Sequence, residues 1–588
     1  MNKVGVEMNK PVLVIEDLTV SFDGFKAVSD LNFYLDKNEV HVVIGPNGAG
    51  KTTVLDLICG KTKATSGTIK FNDIELTKLK EFDIVRKGVG RKFQNPNIYE
   101  NLSVYDNLEM SFPRGRNVFG ALFFRRTKDV DERIREVAPD KADDARPFRL
   151  AVIQLGTYDG TIYNARQVVD RIGHLCDYIL FDSAWVGYEQ FIPMMRDCSP
   201  LLLELGENDP GILVTQSVHK QQAGFSQASQ IHKKDNHISG QARYVNHKRF
   251  NNSFMMHVST SPFYPLFASL DVNAKMHEGK AGQRMWHECV IGGIEARKML
   301  LDTCTMILPF VPPTVDGQAW QDYDTETIAH DIRFFRFEAG ARWHDFQHYA
   351  DDQYFIDPCK LLLTTPGIDM QTGEYEATGI PAAILAHYLR ESSVIPEKAD
   401  LNSILFLLTP AETLAKFQHL VARIVSFEKH IRENSPITQV LPTLAKAYPQ
   451  YRKLTINELC QLMHNFYAKH QLNKRQKQMF EREHRPKVAM SAFDAHNAFI
   501  RNEVELVSLH DIKGRIAMEG ALPYPPGVYC IVPGEVWDGA VLDYFLALQE
   551  GVNRLPGFEP EVQGVYWEYD DQGKKIAYAY VLKQPHQI

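Results

Sequence analysis

A carboxylate and an amine stand at the ends of two apolar segments in the middle of the chain. Asp182 follows the run YILF, and Lys220 lies in the polar stretch TQSVHK that follows the run GILV. An amine forms a Schiff base with an aldehyde, and a carboxylate pairs with a pyridinium nitrogen, so the two residues suit pyridoxal phosphate. Taken alone, a surface lysine is the commoner explanation for Lys220.

A second motif that can do chemistry lies near the N-terminus, where an apolar strand runs into GPNGAGKTT and then into a helical pattern. Glycines let backbone N–H groups surround phosphate oxygens, a lysine reaches the outer phosphates, and a threonine hydroxyl binds magnesium, here that of Thr52. We therefore expect ATP and magnesium to bind at Gly45, Asn47, Gly48, Gly50, Lys51, Thr52 and Thr53.

The elements that must position Asp182 and Lys220 follow from hydrophobic periodicity. LAVIQL and YILF are typical of buried strands, and the segment between them has apolar residues at helical spacing. This pattern predicts a βαβ unit of a parallel sheet, with GILVTQS as a third strand. Ligands of open α/β sheets bind at the carboxyl ends of strands, which is where both residues are expected.

The composition is that of a globular chain with more than one domain. Its 588 residues are 44% hydrophobic and 23% charged, with a net charge of -8. These values exclude a single small module and a wholly disordered chain, and they favour no nucleic-acid partner. Eight scattered cysteines predict reduced thiols, and we recognise no signal peptide or membrane span, so we expect a cytoplasmic protein.

Over roughly residues 11–137 the sequence resembles the ATP-binding subunits of ABC transporters of the urea and branched-chain amino acid type. The resemblance implies that Phe22 stacks on adenine and that Gln94 contacts magnesium and the attacking water; core packing is the alternative for Phe22. The signature motif, the strand-end glutamate and the switch histidine of that family do not follow. We therefore predict nucleotide binding without hydrolysis.

From about residue 139 to the C-terminus the sequence resembles the bacterial ornithine, lysine and arginine decarboxylases, ornithine decarboxylase most of all. The segments FDSAWVGYEQ, TQSVHKQQAG and TSPFYPLFASLD carry the resemblance. It implies that Lys220 binds pyridoxal phosphate covalently and that Asp182 pairs with the ring nitrogen. It also implies that Trp185 lies beside the cofactor, with Ser217 and the catalytic-site residue His219 as neighbours of the cofactor.

The same resemblance implies a substrate residue and a second subunit. Glu397 matches the glutamate that receives the distal ammonium group of ornithine, and a solvated glutamate beside Lys398 is the alternative. Ser261 is implied to reach the site of a partner subunit, so we expect a homodimer. Lysine and arginine stay open as substrates, and an aminotransferase shares the lysine and the aspartate.

Both resemblances stop inside a domain, near residue 138. We expect a partial ABC ATP-binding domain over residues 1–137, a partial cofactor-binding major domain over 138–378 and decarboxylase C-terminal domains over 379–588. The family's residues that hold the cofactor phosphate and stack on its ring would precede the junction. We attribute the junction to recombination of two genes or to a join made during assembly of the sequence.

The fold class that follows is α/β. A truncated P-loop lobe precedes a partial pyridoxal-phosphate-dependent transferase domain of the aspartate aminotransferase type and an α+β C-terminal domain. The expected function is decarboxylation of ornithine to putrescine. The alternatives are an ATP-binding fragment of a transporter and an inactive chimeric chain.

Overall fold

The computed structural model describes most of the chain in two compact units. The units are Met1–Glu100 with Phe250–Ser259, and Asn101–Arg249 with Thr260–Ile588. For residues 22, 25, 26, 51 and 52 only the backbone is described. The described ranges are 11–22, 25–37, 51–80, 144–258, 261–344, 349–481, 483–524 and 527–583, with residues 84, 87, 89, 141 and 346.

The first unit is built on an antiparallel sheet of four strands in the order β2-β1-β3-β4. Alternate residues of a strand point to opposite faces, so Leu13 and Ile15 share the buried side of β1. The strand is irregular between Ile15 and Leu18, and Leu18 and Val20 are buried beyond that point. Ile15 lies opposite Ile69 of β3, and both are buried with Leu57 of α1. The elements are β1 (Leu13–Phe22), β2 (Phe25–Leu35), α1 (Lys51–Ile58), β3 (Ser66–Phe71) and β4 (Ile74–Glu75).

The second unit contains the sheet that carries Asp182. Its strand order is β5-β7-β8-β9, with β5, β7 and β8 parallel and β9 antiparallel at the edge. The predicted βαβ unit and the third strand are therefore confirmed. The elements are β5 (Phe148–Gln154), β6 (Thr161–Tyr163), α2 (Ala165–Ile172), β7 (Cys176–Asp182), β8 (Gly211–Gln216), α3 (Val218–Gln221) and β9 (Gln230–Lys234).

Helix α2 shows why this segment folds as the sequence predicts. Asn164 caps its first turn by accepting a hydrogen bond from the Gln167 N–H at 3.1 Å. Val168, Val169 and Ile172 recur at helical spacing and are buried. They pack in the same core as the buried strand residues of β7, so α2 covers one face of the parallel sheet.

Long helices and short strands follow the sheet. Helix α6 supplies a fully buried Trp286 and Arg297 to the core. These elements are α4 (His247–Met255), α5 (Tyr264–Met276), α6 (Lys280–Thr303), β10 (Leu308–Pro309), β11 (Thr314–Val315), β12 (Gln318–Ala319), α7 (Thr325–His330) and β13 (Tyr354–Ile356).

A second sheet is antiparallel, with the strand order β10-β14-β16-β15. Its strand β14 begins at Lys360, and its strand β15 begins at Lys398, directly after Glu397. The elements are β14 (Lys360–Thr364), α8 (Ala382–Glu391), β15 (Lys398–Ala399), β16 (Ser403–Leu407) and α9 (Leu414–Glu433).

The C-terminal part combines helices with small antiparallel sheets, β17-β21-β20 and β18-β19. Its helices are α10 (Ile437–Val440), α11 (Pro442–Ala447), α12 (Ile456–His470), α13 (Leu472–Gln478), α14 (Ala492–Ile500) and α15 (Gly539–Arg554). Its strands are β17 (Val504–Ser508), β18 (Leu522–Tyr524), β19 (Glu561–Gln563), β20 (Tyr566–Tyr569) and β21 (Lys575–Leu582).

Two expectations from composition can be compared with the structure. All eight cysteines are buried, and none of them is paired in a disulfide. Among the described helices, none combines the length and the apolar character that crossing a membrane requires.

One buried carboxylate joins the segment after α6 to helix α9. Glu428 is fully buried and accepts hydrogen bonds from the backbone N–H groups of Thr305, Met306 and Ile307 at 2.8 to 3.1 Å. Arg432, one turn along α9, donates to it at 2.5 Å. The carboxylate therefore satisfies three backbone donors that have left α6 and have not yet entered β10.

We expect Glu428→Ala to lower the free energy of unfolding by roughly 2–4 kcal/mol, because buried N–H groups lose their acceptor. Chemical denaturation followed by tryptophan fluorescence measures the change. Glu433→Ala is the matched control, since its exposed carboxylate pairs only loosely with Lys429 at 3.7 Å. Equal unfolding midpoints for the two variants would contradict the interpretation.

Candidate active site

Asp182 is the last residue of β7 and lies at the carboxyl edge of the parallel sheet. Its register partners are Gln154 at the end of β5 and Thr215 near the end of β8. The Ala184 N–H donates to Asp182 Oδ1 at 3.0 Å, which fixes the orientation of the carboxylate. The side chain is partly buried, so one face of the carboxylate stays accessible to a ligand.

Lys220 lies in the single turn α3, directly after β8. Its Nζ is 4.1 Å from the centroid of the Trp185 ring, within the range of a cation–π contact. Burial lowers the pKa of Lys220; the nearby Lys360 lowers it further, while Asp182 and Glu397 oppose the shift. A lysine with a lowered pKa has a larger neutral fraction and is a better nucleophile.

His219 directly precedes this lysine in the chain, and Ser217 lies three residues before it. Both are partly buried. Burial, and then the charge of Lys220, lower the pKa of His219, so the imidazole is neutral over more of the pH range. The Lys220 N–H donates to the Ser217 carbonyl at 3.1 Å, which holds the turn closed. Ser261 is exposed and lies just before α5, and its role at a partner's site stays a prediction.

Glu397 is hydrogen-bonded to Tyr158, a residue that was not predicted from the sequence. Tyr158 Oη donates a hydrogen bond to Glu397 Oε1 at 2.5 Å. The Tyr158 ring lies 4.5 Å from the Trp185 ring, so the tyrosine connects the glutamate to the group around Lys220. Burial, and then the hydrogen bond to Glu397, raise the pKa of Tyr158 and keep its hydroxyl protonated.

The backbone around this pair is fixed by an ion pair. Lys398 is buried, and its Nζ lies 3.0 Å from both carboxylate oxygens of Asp159 and 3.2 Å from Asp400. Burial lowers the pKa of Lys398, but the two carboxylates together raise it, so the amine stays charged. The bridge ties the turn that carries Tyr158 to the strand that follows Glu397. Glu397 is therefore held in place by these contacts, and the structure does not support the alternative of a freely solvated glutamate.

A second buried lysine, Lys360, also lies near Trp185. Lys360 Nζ is 5.9 Å from the Trp185 ring centroid, donates to the Thr157 carbonyl at 3.1 Å and lies 3.8 Å from Asp357. Burial lowers the pKa of Lys360. Little in the sequence marks Lys360 as a residue of the site, because it stands in an ordinary apolar run, KLLLT.

Asp357 is itself fully buried and hydrogen-bonded. It accepts from Tyr188 Oη at 2.6 Å and from the Cys359 N–H at 2.9 Å. Burial raises the pKa of Asp357, and Lys360 and Tyr188 oppose the shift. Tyr188 stacks on Trp286 of α6, with ring centroids 4.4 Å apart. The group around Lys220 is thereby anchored to the long helix of the core.

Comparison with known proteins identifies the family of this arrangement. The family model for the Orn/Lys/Arg decarboxylase major domain matches residues 120–416. The chain belongs to the Orn/Lys/Arg decarboxylase family. The model for the C-terminal domain of the same family matches residues 473–583.

Curated relatives of this decarboxylase family agree. The constitutive ornithine decarboxylase of Escherichia coli K12 is 67% identical over 453 residues, which cover 77% of this chain and 64% of the relative. The inducible ornithine decarboxylase of Lactobacillus sp. strain 30a is 56% identical, and lysine decarboxylase LdcA of Pseudomonas aeruginosa is 34% identical. The matches cover 79% and 72% of this chain and 65% and 56% of those relatives. The chain spans less than two thirds of the length of these curated relatives.

Solved structures of the same family resemble the second unit. E. coli constitutive lysine decarboxylase matches with a TM-score of 0.64 and 32% identity over 74% of this chain and 58% of that chain. Lysine decarboxylase A of Pseudomonas aeruginosa matches with a TM-score of 0.67 and 32% identity over 75% of this chain and 58% of that chain. These neighbours and the family models support a mixed α/β fold of the decarboxylase type.

A model for ABC transporters matches residues 28–157, which overlaps the decarboxylase match. The predicted junction near residue 138 falls inside this overlap, and the domain boundaries stay predictions. Helix α1 begins at Lys51, as the phosphate-loop motif predicts. The side chains of Phe22, Lys51 and Thr52 are not described, and Thr53 is partly buried in α1. Predicted nucleotide residues outside the described ranges are Gly45, Asn47, Gly48, Gly50 and Gln94.

We expect Lys220 to react with acetic anhydride at lower pH than the exposed lysines of this decarboxylase-family chain, which serve as the internal reference. The reason is that burial and the charge of Lys360 lower its pKa. Labelling as a function of pH, read by peptide mass spectrometry, measures the midpoint. Asp182→Asn removes a charge that opposes the shift and should move the Lys220 midpoint lower still. A midpoint for Lys220 at or above that of exposed lysines would contradict the argument.

Proposed function

We propose that the second unit catalyses pyridoxal-phosphate-dependent decarboxylation of ornithine to putrescine. The observation that carries the proposal is the placement of Asp182 at the end of β7 and of Lys220 in the turn after the adjacent parallel strand β8, with Trp185 against the lysine. The identity to relatives named ornithine decarboxylase is higher than the identity to the lysine decarboxylase relative, which favours ornithine as the substrate.

The residues of the site fit the cofactor. Lys220 offers an amine with a lowered pKa, and Asp182 offers an oriented carboxylate at the same edge of the sheet. Beside them, Ser183 Oγ and Gln222 Nε2 are buried and make no hydrogen bond within the described part of the chain. Buried polar atoms are normally paired, so these two suit the polar groups of a ligand.

When bound, pyridoxal phosphate supplies an electron-poor ring that accepts the electron pair left as the α-carboxylate departs as carbon dioxide. Lys220 holds the cofactor through a covalent bond to its amine. Asp182 holds the proton on the ring nitrogen by accepting its hydrogen bond and countering its positive charge. Trp185 covers Lys220 and excludes water from the amine.

Glu397 selects the substrate in this proposal. Its carboxylate is oriented by Tyr158, and a carboxylate accepts several hydrogen bonds, so it also receives the distal ammonium group of ornithine. The bridge from Lys398 to Asp159 keeps this pair at a fixed distance from Lys220. A fixed carboxylate measures the length of the substrate side chain, which separates ornithine from lysine.

We further propose a homodimer. Three aromatic residues at the start of α5 are highly exposed: Phe263 at 61%, Tyr264 at 75% and Phe267 at 57%. A contiguous apolar surface of this kind is normally covered by a partner. Ser261 lies two residues before Phe263, which agrees with a role for this segment at the site of a second copy.

The phosphate-loop motif supports a second proposed property, nucleotide binding by the first unit. The match to the ABC transporter model covers that motif and the helix that begins at Lys51. The motif binds phosphate through backbone N–H groups and does not itself supply a catalytic base. We therefore propose binding of ATP and magnesium without turnover.

We expect the full chain mixed with pyridoxal phosphate to keep a visible absorption band after gel filtration, and borohydride to fix the cofactor to Lys220. Lys220→Ala should lose both, since no other residue takes over the covalent bond. Lys275→Ala, at an exposed lysine paired with Glu278, is the control. A folded protein with no band, or with the cofactor spread over surface lysines, would contradict the proposed site.

We expect release of carbon dioxide from ornithine to exceed that from lysine and arginine. Glu397→Gln should lower kcat/KM for ornithine by roughly 10-fold to 100-fold, since a hydrogen bond to a charged group contributes about 1.5–3 kcal/mol. Tyr158→Phe keeps the charge and should have a smaller effect. A loaded enzyme that prefers lysine would overturn the substrate assignment while leaving the cofactor site intact.

A further inference from the structure

Three side chains of metal-ligating type meet where helices α6 and α7 lie together, outside the candidate active site. His287 of α6 and Glu326 and His330 of α7 each offer a ligand atom within 4.8 Å of the other two. His287 Nε2 is 3.2 Å from Glu326 Oε2, and the His287 and His330 ring centroids lie 5.3 Å apart. All three side chains are partly or largely exposed, so solvent reaches them.

We propose that this cluster binds a divalent transition-metal ion of the zinc type. Two imidazoles and one carboxylate are a ligand set that Zn²⁺ takes in proteins, and a fourth position is then left for water. Imidazole suits zinc, copper and nickel, whereas magnesium and calcium prefer oxygen ligands. The chemistry of the donors therefore points away from the hard cations.

The two helices hold the donors in place without a metal. Lys298 of α6 donates to the Tyr323 carbonyl at 2.6 Å and to Thr325 Oγ1 at 2.9 Å. Asp324 caps α7 by accepting from the Glu326 N–H at 3.0 Å. Ile328 of α7 is fully buried in the core, so the helix cannot turn its ligand face away. A prearranged site loses little entropy when the ion binds.

One histidine also has the outer contact that metal-binding histidines usually make. His330 Nδ1 lies 2.8 Å from the Glu326 carbonyl oxygen. When Nδ1 carries the proton and donates to this carbonyl, Nε2 keeps the lone pair that a metal needs. Glu326 and His330 stand four residues apart on one helical face, while His287 comes from a distant part of the chain. That separation is why the sequence alone does not reveal the cluster.

Titration of the full chain with ZnCl₂ against a chelating dye tests the proposal. We expect one saturable equivalent that MgCl₂ does not reproduce. His287→Ala, Glu326→Gln and His330→Ala should each weaken zinc binding by at least about 10-fold, as loss of metal-site groups does. His419→Ala and Glu288→Gln, at an exposed histidine of α9 and an exposed glutamate beside His287, should bind like the parent.

A second readout guards against variants that fold poorly. Zinc should raise the melting temperature of the parent and of the two control variants, and should leave that of His287→Ala unchanged. Circular dichroism of each variant without metal confirms the fold. Absence of a saturable equivalent in the parent, or unchanged zinc affinity in all three cluster variants, would overturn the proposal.

Discussion

The buried carboxylate of Asp357 is the constraint on which the candidate active site depends. A buried charge must be paired and hydrogen-bonded. Asp357 meets this requirement with Tyr188, the Cys359 N–H and the ammonium group of Lys360. Arg297 of α6 is also buried. It donates to the carbonyls of Pro358 and Lys360 at 3.0 and 2.7 Å, and so it holds the same turn in place. The position of Lys360 relative to Trp185 follows from this network.

The network also sets the electrostatic balance around Trp185. Lys220 and Lys360 approach the same ring, and their mutual repulsion adds to burial in lowering the pKa of Lys220. Asp182 and Glu397 limit that shift. A site with both amines fully charged would repel a cationic substrate, whereas a site with only carboxylates would leave no neutral amine to act as nucleophile. For the proposed function, this arrangement balances the binding of an ammonium group against the need for a neutral, reactive lysine.

Whether a feature of the candidate site could be predicted from the sequence depends on whether the contacts that determine it join residues close together in the chain. The strand that ends at Asp182, the strand that precedes Lys220 and their place in a parallel sheet follow from local apolar patterns, and they were predicted. The contacts of Tyr158 with Glu397, and of Lys360 with Thr157, join residues that are far apart in the sequence. No local pattern distinguishes a tyrosine in a turn or a lysine at the start of a strand, so these residues were missed. The antiparallel edge strand β9 was missed for a similar reason, since its five residues are polar or partly exposed.

In the proposed function, the covalent role of Lys220 depends on the sheet that positions it. Lys220 and Asp182 follow strands that are hydrogen-bonded neighbours, so their spacing is set by the sheet itself. The sheet is supported by α2 and by the core of the same unit. In the proposed function, the position and the pKa of Lys220 are therefore set by this sheet and by the buried residues around Trp185, whatever other groups contribute to the affinity for the cofactor.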